Sequence, residues 1–402
     1  TTNGVLTLHP LNTNGISNYG TLTNAGGTIN ITRYNGHSNF KGIENYGGTL
    51  INQFAGVINI NGMDDYGIWN RSNGTFSNQN GGTINIGITS NQIGDDGIRN
   101  EAAGAFTNAG TVIIRNIGND GIDNRSTFYN NTSGNIFIDQ ALLTGIVNVA
   151  NLFENSGNIT VGSIATVQLD GVQNRATFNN LPSGTIIVEN ADQTGIFSYE
   201  GTFTNEGLIK IGENGSIGIN AIFNGQGTNP VFINSSCSAA IHIFGKDIID
   251  NANSFTNSGN ILQEAAVNSN IETNNGVIFY NAGSFTVDNG NAPVSISQDF
   301  SSVKLWTACS ANGWANGQNW YPNGVPTATD QVVIYPMFFD PVITNATMAE
   351  TKYVYLEPGA GLTNNGSLTL TDGALWIQSG ATVKGNGQYS ISGNFVVEGG
   401  TF

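Results

Sequence analysis

The residues best suited to chemistry are aspartates that recur just before a Gly-Ile pair in a repeated phrase. If the copies of the phrase stack in register, Asp65 and Asp95 share a column with Asn119. Asp96 and Asp120 then form a second column. Carboxylates held this close can bind Ca²⁺ or act as an acid and base pair. We therefore expect a calcium site at Asp95, Asp96 and Asp120, with solvated turn aspartates as the alternative.

The phrase that positions these aspartates is clearest in GIWNRSNGTFSNQNGGTINI, from Gly67 to Ile86. It opens with Gly-Ile-x-Asn, has Phe-x-Asn at its centre and closes with Ile-x-Ile. Successive openings from Gly15 to Gly218 are 23 to 30 residues apart. A period of this length is typical of solenoids and repeat arrays.

The three apolar runs of each copy are too short for helices, and Gly and Asn separate them. The alternating Ile residues of the close indicate a strand with one buried face. A single copy cannot bury its Ile and Phe side chains, whereas copies stacked about 4.8 Å apart can. The sequence therefore predicts an all-β protein, a right-handed parallel β-helix with rungs of about 24 residues. We expect the opening glycines to adopt positive φ at the turns.

Asparagine recurs at two positions of the phrase, once in the opening and once in the centre. Stacked rungs would place these side chains above one another, where their amides can form hydrogen-bonded ladders. A residue that recurs in every rung is more simply explained as scaffold than as a ligand contact. The central ladder is predicted to contain Asn24, Asn52, Asn78, Asn108, Asn130, Asn155, Asn180 and Asn205. The opening ladder is predicted to contain Asn18, Asn45, Asn70, Asn100, Asn124, Asn148 and Asn174.

Composition restricts the classes of partner. The formal charge is -16, with only 12 Lys and Arg residues, which argues against nucleic acid because phosphate binding requires clustered cations. The sequence contains no apolar run long enough to predict a membrane-spanning helix. The same composition suits an extracellular or cell-surface location.

The repeated phrase divides the chain into three predicted segments. Residues 1–299 form the solenoid, residues 300–345 form a Trp-rich segment without the repeat, and residues 346–402 form a second solenoid tract. Trp306, Trp314 and Trp320 are expected to form a small packed core rather than a sugar-binding platform. Cys237 and Cys309 either form a disulfide or remain free thiols, and the sequence leaves both open.

The motifs from Trp306 to Ile334, and the run Gly393 to Phe402, resemble those of large secreted surface proteins of Bacteroidetes-type bacteria. Those families consist mostly of β-helical adhesins and of surface-layer or filament proteins, many exported by type IX secretion. The resemblance implies an extracellular structural or adhesive protein, a stalk or filament subunit. Its implied partners are further copies of itself, other cell-surface components and glycans.

The alternative is a β-helix that acts on or binds acidic polysaccharide. The run Asp95-Asp96-Gly97 resembles the paired aspartates of polygalacturonase-like enzymes, but the Gly-His-Gly and Arg-Ile-Lys motifs of that family are absent. We therefore predict that the chain is not an enzyme and has no cofactor other than calcium. The outward aromatic residues that could stack on sugars are not expected to form one column; they are Tyr19, Tyr46, Trp69 and Tyr199.

Overall fold

Each copy of the phrase forms three short strands, one from each of its parts, and like parts stack into three parallel sheets. The result is a parallel β-solenoid of about 12 turns, followed by a second, shorter β tract. This computed structural model describes residues 4–10, 14–33, 40–89, 92–235, 239–246, 248–250, 255–257, 259–264, 272–273, 280–281, 284–288, 294–295, 303–306, 312–321, 324–334, 339–356, 359–371 and 373–402.

We name the three sheets of the solenoid after the parts of the phrase that form them. The opening sheet contains Ile16–Asn18, Ile43–Tyr46, Ile68–Arg71, Ile98–Asn100, Ile122–Asn124, Ile146–Asn148, Val172–Asn174, Thr194–Ser198, Asn220–Asn224, Ile248–Asp250 and Glu272–Thr273. The central sheet contains Thr21–Asn24, Thr49–Asn52, Thr75–Asn78, Ala105–Asn108, Thr127–Asn130, Leu152–Asn155, Thr177–Asn180, Thr202–Asn205, Val231–Asn234, Phe255–Asn257 and Tyr280–Asn281. The closing sheet contains Val5–Leu8, Thr28–Thr32, Val57–Asn61, Thr83–Ile86, Thr111–Ile117, Asn135–Ala141, Asn158–Val161, Thr185–Val188, Leu208–Ile211, Ala240–Phe244, Asn260–Glu264 and Ser284–Asp288, with Val294–Ser295 antiparallel to the last of these.

The register between rungs pairs each residue with its counterpart, so that identical side chains form continuous columns. Ile84 and Ile86 pair with Ile58 and Ile60, for example, and all four are fully buried. The phenylalanines of the central sheet form one stack with ring centroids 4.7 to 4.8 Å apart and planes within 9° of parallel. The stack contains Phe76, Phe106, Phe128, Phe153, Phe178, Phe203, Phe232 and Phe255.

Both predicted asparagine ladders are confirmed. In the central ladder each Nδ2 donates to the next Oδ1 at 2.6 to 2.8 Å, from Asn24 to Asn257. The opening ladder runs from Asn18 to Asn174 at 2.8 to 3.0 Å. The opening ladder is interrupted at Ser198, which pairs with Asn174 in the register of the sheet. The buried Ser198 hydroxyl has no hydrogen-bond partner among the described residues. The amides also bond backbone carbonyls. Asn45 Nδ2, for example, donates to Gly48 O in its own rung and to Thr75 O in the next rung.

The prediction of positive φ for the opening glycines is wrong. None of those between Gly15 and Gly195 adopts it. The requirement is one of space instead. A Cβ on Gly97 would lie 2.6 Å from both Gly121 O and Ile114 Cγ2. Glycine therefore lets the turn backbone pack directly on the next rung and on the isoleucine column.

The second β tract has its own core, in which the three tryptophans participate. Its six-stranded sheet has the spatial order Trp320–Tyr321, Val303–Trp306, Gln331–Ile334, Tyr353–Leu356, Leu375–Ile377 and Phe395–Val397. One three-stranded sheet contains Val342–Ile343, Gly361–Asn364 and Thr382–Lys384, and the other contains Met348–Thr351, Ser367–Leu370 and Gln388–Ile391. A 3₁₀ turn spans Gly317–Asn319.

The Trp-rich segment is therefore continuous with the second tract, and no structural boundary lies at residue 345. Strands on both sides of that position share one sheet and one hydrophobic core. Trp306, Trp314 and Trp320 are fully buried in edge-to-face contact, as expected for a packed core. Cys237 and Cys309 lie outside the described residues. Within the described part of the chain, no helix is long and apolar enough to cross a membrane.

The phenylalanine stack generates a stability prediction. Phe128→Ala should lower the free energy of unfolding by about 3 to 5 kcal/mol, because it opens a cavity and interrupts the stack on both sides. Phe128→Leu should cost only about 1 kcal/mol, because leucine occupies this column in the first two rungs, at Leu22 and Leu50. Urea denaturation followed by circular dichroism measures both. Equal losses for the two variants would contradict the packing account.

The asparagine ladder generates a second prediction. Asn108→Ala leaves the Asn78 amide without its ladder acceptor and Asn130 Oδ1 without its donor. Because both groups are buried, the cost should be about 3 kcal/mol in the same measurement. The matched control is Asn85→Ala in a half-exposed asparagine row with Asn59, where the loss should be about 1 kcal/mol or less. An Asn108 variant as stable as the control would refute a structural ladder.

Candidate functional site: the acidic corner and the aromatic face

The predicted aspartate columns form as expected at the turn that precedes the opening sheet. Asp95 N donates to Asp65 O, and Asn119 N donates to Asp95 O, each at 3.2 Å. Asp96 and Asp120 occupy successive positions of the adjoining column, since Gly67 N and Gly97 N donate to their carbonyls. We call this turn, with Asp65, Asp95, Asp96, Asp120 and Asp123, the acidic corner.

Two carboxylates of the acidic corner, those of Asp96 and Asp120, accept hydrogen bonds from the next rung. Asp96 is fully buried, and its Oδ1 accepts from Asn119 Nδ2 at 2.8 Å and from Asp120 N at 3.2 Å. Asp120 Oδ1 in turn accepts from Thr144 N at 2.9 Å. Two rungs further on, Asp170 repeats the arrangement. These side chains therefore cap the turn of the following rung.

Arg99 is the counter-ion of the corner. Its guanidinium lies 3.6 Å from Asp96 Oδ2 and 3.4 Å from Asp123 Oδ2, and its Nε donates to Glu101 at 2.9 Å. Its positive charge offsets the mutual repulsion of these carboxylates. Among the described residues, no group of three or more His, Cys, Asp or Glu side chains is arranged to hold a metal ion. Calcium at Asp95, Asp96 and Asp120 stays a prediction that this geometry does not favour.

Burial dominates the electrostatics of these aspartates. Burial, followed by repulsion from Asp95, Asp123 and Asp120, raises the pKa of Asp96 to about 8, against a smaller opposing effect of the Asp120 N–H. Burial likewise raises the pKa of Asp120 and of Asp170 to about 6. With a pKa of about 8, the Asp96 carboxyl retains its proton near neutral pH, whereas Asp120 and Asp170 retain theirs only below about pH 6. A raised pKa is common at catalytic sites, but here the carboxyls face the next rung rather than an open groove.

Beside the corner, the outer surface of the opening sheet carries a cluster of rings and cations that the sequence analysis did not predict. Tyr19 and Tyr46 are in contact, with centroids 5.6 Å apart. The Arg71 guanidinium lies 4.8 Å from the Tyr46 centroid and 3.6 Å from that of Trp69. Tyr66 continues the cluster, 5.4 Å from Trp69. We call these five residues the aromatic face.

Ion pairs hold the aromatic face in place. Glu44 binds the Arg71 guanidinium, and the Trp69 indole N–H donates to Glu101 at 2.9 Å. Lys41 lies 5.0 Å from the Trp69 centroid and pairs with Asp65 at 2.8 Å. Cations over aromatic rings are attracted to the face of the ring. The cluster is thus ordered, while Tyr19 and Tyr46 remain 70% and 42% exposed.

The expectation that the outward aromatics do not form one column is correct only in part. Tyr199 lies elsewhere on the same sheet, against Phe197 and Arg175. Tyr19 and Tyr46, however, touch across adjacent rungs, and the Arg71 that pairs with Tyr46 links them to Trp69. A signal was available in the sequence, since Tyr19 and Tyr46 each directly follow a ladder asparagine.

Comparison with known proteins informs only the second tract. A family model described as a domain of unknown function, DUF8693, matches residues 305–395. The match spans both the Trp-rich segment and most of the strands that follow it. No curated protein matches the chain.

The buried aspartates generate a pH prediction. Because the folded-state pKa of Asp96 is raised, its contribution to stability is fully present below the unfolded pKa near 3.8 and is lost as the pH rises through about 8. The contributions of Asp120 and Asp170 to stability should likewise be lost as the pH rises through their pKa of about 6. Asp96→Asn keeps the acceptor oxygen and removes the titration, so its melting temperature should fall less than that of the wild type between pH 4 and 8.

The control for this experiment is Asp192→Asn, because Asp192 is exposed. Its melting temperature should follow the wild-type pH dependence. If Asp96→Asn and the wild type lose stability in parallel across the range, burial of a protonated Asp96 is not the cause.

Proposed function

We propose that this chain is an extracellular structural or adhesive surface protein, in which the solenoid is a stiff rod and the aromatic face makes lateral contacts. The observation that carries the proposal is the ordered cluster of Tyr, Trp and Arg on the side of the rod. These residue types dominate binding energy at protein interfaces. The proposed partners are further copies of the chain, other cell-surface components and glycans.

The engagement of the corner carboxylates supports a role without turnover. Retaining and inverting glycosidases need two carboxyl groups open to the substrate. Asp96 is instead fully buried and bonded to the next rung. The sequence resemblance to secreted surface proteins of Bacteroidetes-type bacteria supports the extracellular location and a stalk or filament role.

Binding of carbohydrate without cleavage is the second candidate. Its support is a separate groove in the second tract, lined by Tyr353, Tyr355 and Trp376. Cleavage of acidic polysaccharide receives less support, because Asp96, the central member of the Asp95, Asp96 and Asp120 cluster, is fully buried.

The proposal predicts that the aromatic face determines attachment. The double variant Tyr46→Ala and Trp69→Ala should bind cells of the producing organism about 30-fold more weakly than the wild type, the effect expected for loss of a 2 kcal/mol hot spot. Co-sedimentation with those cells measures binding, and electron microscopy checks that the rods are intact. The matched control is Tyr129→Ala, a half-buried tyrosine of the central sheet.

Wild-type attachment by the double variant would overturn the role of the aromatic face. Depolymerisation of polygalacturonate by the full chain, abolished by Asp96→Asn, would replace the proposal with an enzymatic function.

A further inference from the structure

The outer surface of the six-stranded sheet in the second tract carries a groove of about 550 Å³. This volume is in the range of small-ligand sites. Tyr353, Tyr355 and Trp376 line it together with Val333, Gln331 and Asn394. The family match assigns no role to this groove, and the second candidate function leaves its ligand class open.

The groove follows from strand alternation. Val333 pairs with Tyr355, and Tyr355 pairs with Trp376, so these three outward residues lie side by side across adjacent strands. Gly373 and Gly393 also line the groove, and a Cβ on Gly393 would lie 2.4 Å from Gly373 O. The Tyr353 ring occupies the space beside Gly373, where a Cβ would lie 2.0 Å from Tyr353 Cδ1. The rings therefore stand around a depression rather than filling it.

The Trp376 ring is accessible, and it is not parallel to the ring of Tyr355. The Tyr355 and Trp376 centroids are 6.2 Å apart, and their planes are inclined by 58°. Trp376 is 39% exposed although it is a large apolar side chain. The two rings lie on adjacent strands and are tilted relative to each other. Each ring can therefore stack against the apolar face of one monomer unit of a twisted polymer chain.

The polar groups of the groove indicate that the ligand also carries hydrogen-bonding groups. The Trp376 indole N–H and the side-chain amides of Gln331 and Asn394 make no hydrogen bond to any described residue. They are free to bond a ligand at the edges of the rings. The groove thus offers apolar faces flanked by donors and acceptors, which matches the apolar C–H face and hydroxyl rim of a pyranose.

Charge restricts the ligand further. None of the described residues that line the groove is charged, although the chain carries a formal charge of -16. Beside the groove, Lys352 Nζ lies 5.7 Å from the centroid of the Tyr353 ring. An anionic ligand would still be repelled by the protein as a whole. A cationic ligand would find no carboxylate among the described lining residues. Charge complementarity therefore favours a neutral ligand.

We propose that this groove binds an uncharged glycan chain, with Trp376 and Tyr355 stacking on successive sugar units and Gln331 and Asn394 bonding hydroxyl groups. This inference deepens the proposed adhesive function, on which it rests, by naming a ligand class. The groove lies in a different sheet from the aromatic face, so the two can be tested separately.

The test is titration of the full-length chain with uncharged oligosaccharides of glucan, mannan, xylan and galactan, with polygalacturonate as the charged counterpart. We expect saturable binding to at least one neutral oligosaccharide. Trp376→Ala and Trp376→Gln should each weaken it about tenfold or more, whereas Trp376→Phe should retain most of it, because it keeps an aromatic ring. Met348→Ala, at an 83% exposed position in another sheet of the same tract, is the control and should bind like the wild type.

Absence of binding to every neutral oligosaccharide would overturn the inference. So would binding that Trp376→Ala leaves unchanged, or a preference for polygalacturonate. Circular dichroism of each variant checks that the tract is folded. If neutral glycans fail to bind while the Tyr46 and Trp69 variants still lose cell attachment, the groove inference fails and the adhesive proposal stands. The opposite pattern would retain the groove as a glycan site and reject the aromatic face.

Discussion

The fold depends on exact superposition of identical side chains from one rung to the next. Parallel strands about 4.8 Å apart bring each asparagine amide within hydrogen-bond distance of its counterpart. The same spacing brings each phenylalanine ring to 4.7 to 4.8 Å from the next. A rung displaced by one residue would bury polar side chains and expose the isoleucines. The ladders therefore hold the register on which every other contact in the solenoid is built.

This constraint separates the residues that build the rod from those available for function. Asn108 and Phe128 repeat in nearly every rung and are fully buried or almost so. Asp96 and Asp120 of the acidic corner belong with them, since their carboxylates cap turns. The aromatic face and the groove around Trp376 do not repeat. Side chains that occur once, are ordered and stay accessible are the ones suited to recognise a partner.

Much of the solenoid could be predicted from the sequence because periodicity determines which residues become neighbours. The phrase alone identified both ladders and the columns of Asp95 and Asp96. It could place Tyr19 above Tyr46, but it could not identify the whole aromatic face. Contact between Tyr46, Arg71 and Trp69 depends on side-chain directions, on the ion pair of Arg71 with Glu44 and on the hydrogen bond from Trp69 to Glu101. The role of the opening glycines was also missed, since it depends on how closely Ile114 approaches Gly97 rather than on a backbone dihedral.

The second tract was harder to predict because it lacks the phrase. Its Trp-rich segment joins the sheet through backbone pairing, and no recurring residue signals that pairing. The groove at Trp376 results from the register of Tyr355 against Trp376 and from the glycines below them. Neither feature follows from composition or spacing.

The most direct test of the central account is hydrogen–deuterium exchange of the full-length chain, analysed strand by strand in the opening sheet. If the amide ladder holds the rungs together, backbone amides should exchange most slowly between Asn45 and Asn148. They should exchange faster around Ser198, where the ladder lapses. Exchange within the ladder as fast as that at Ser198 would contradict the claim that the asparagine ladders maintain the stack.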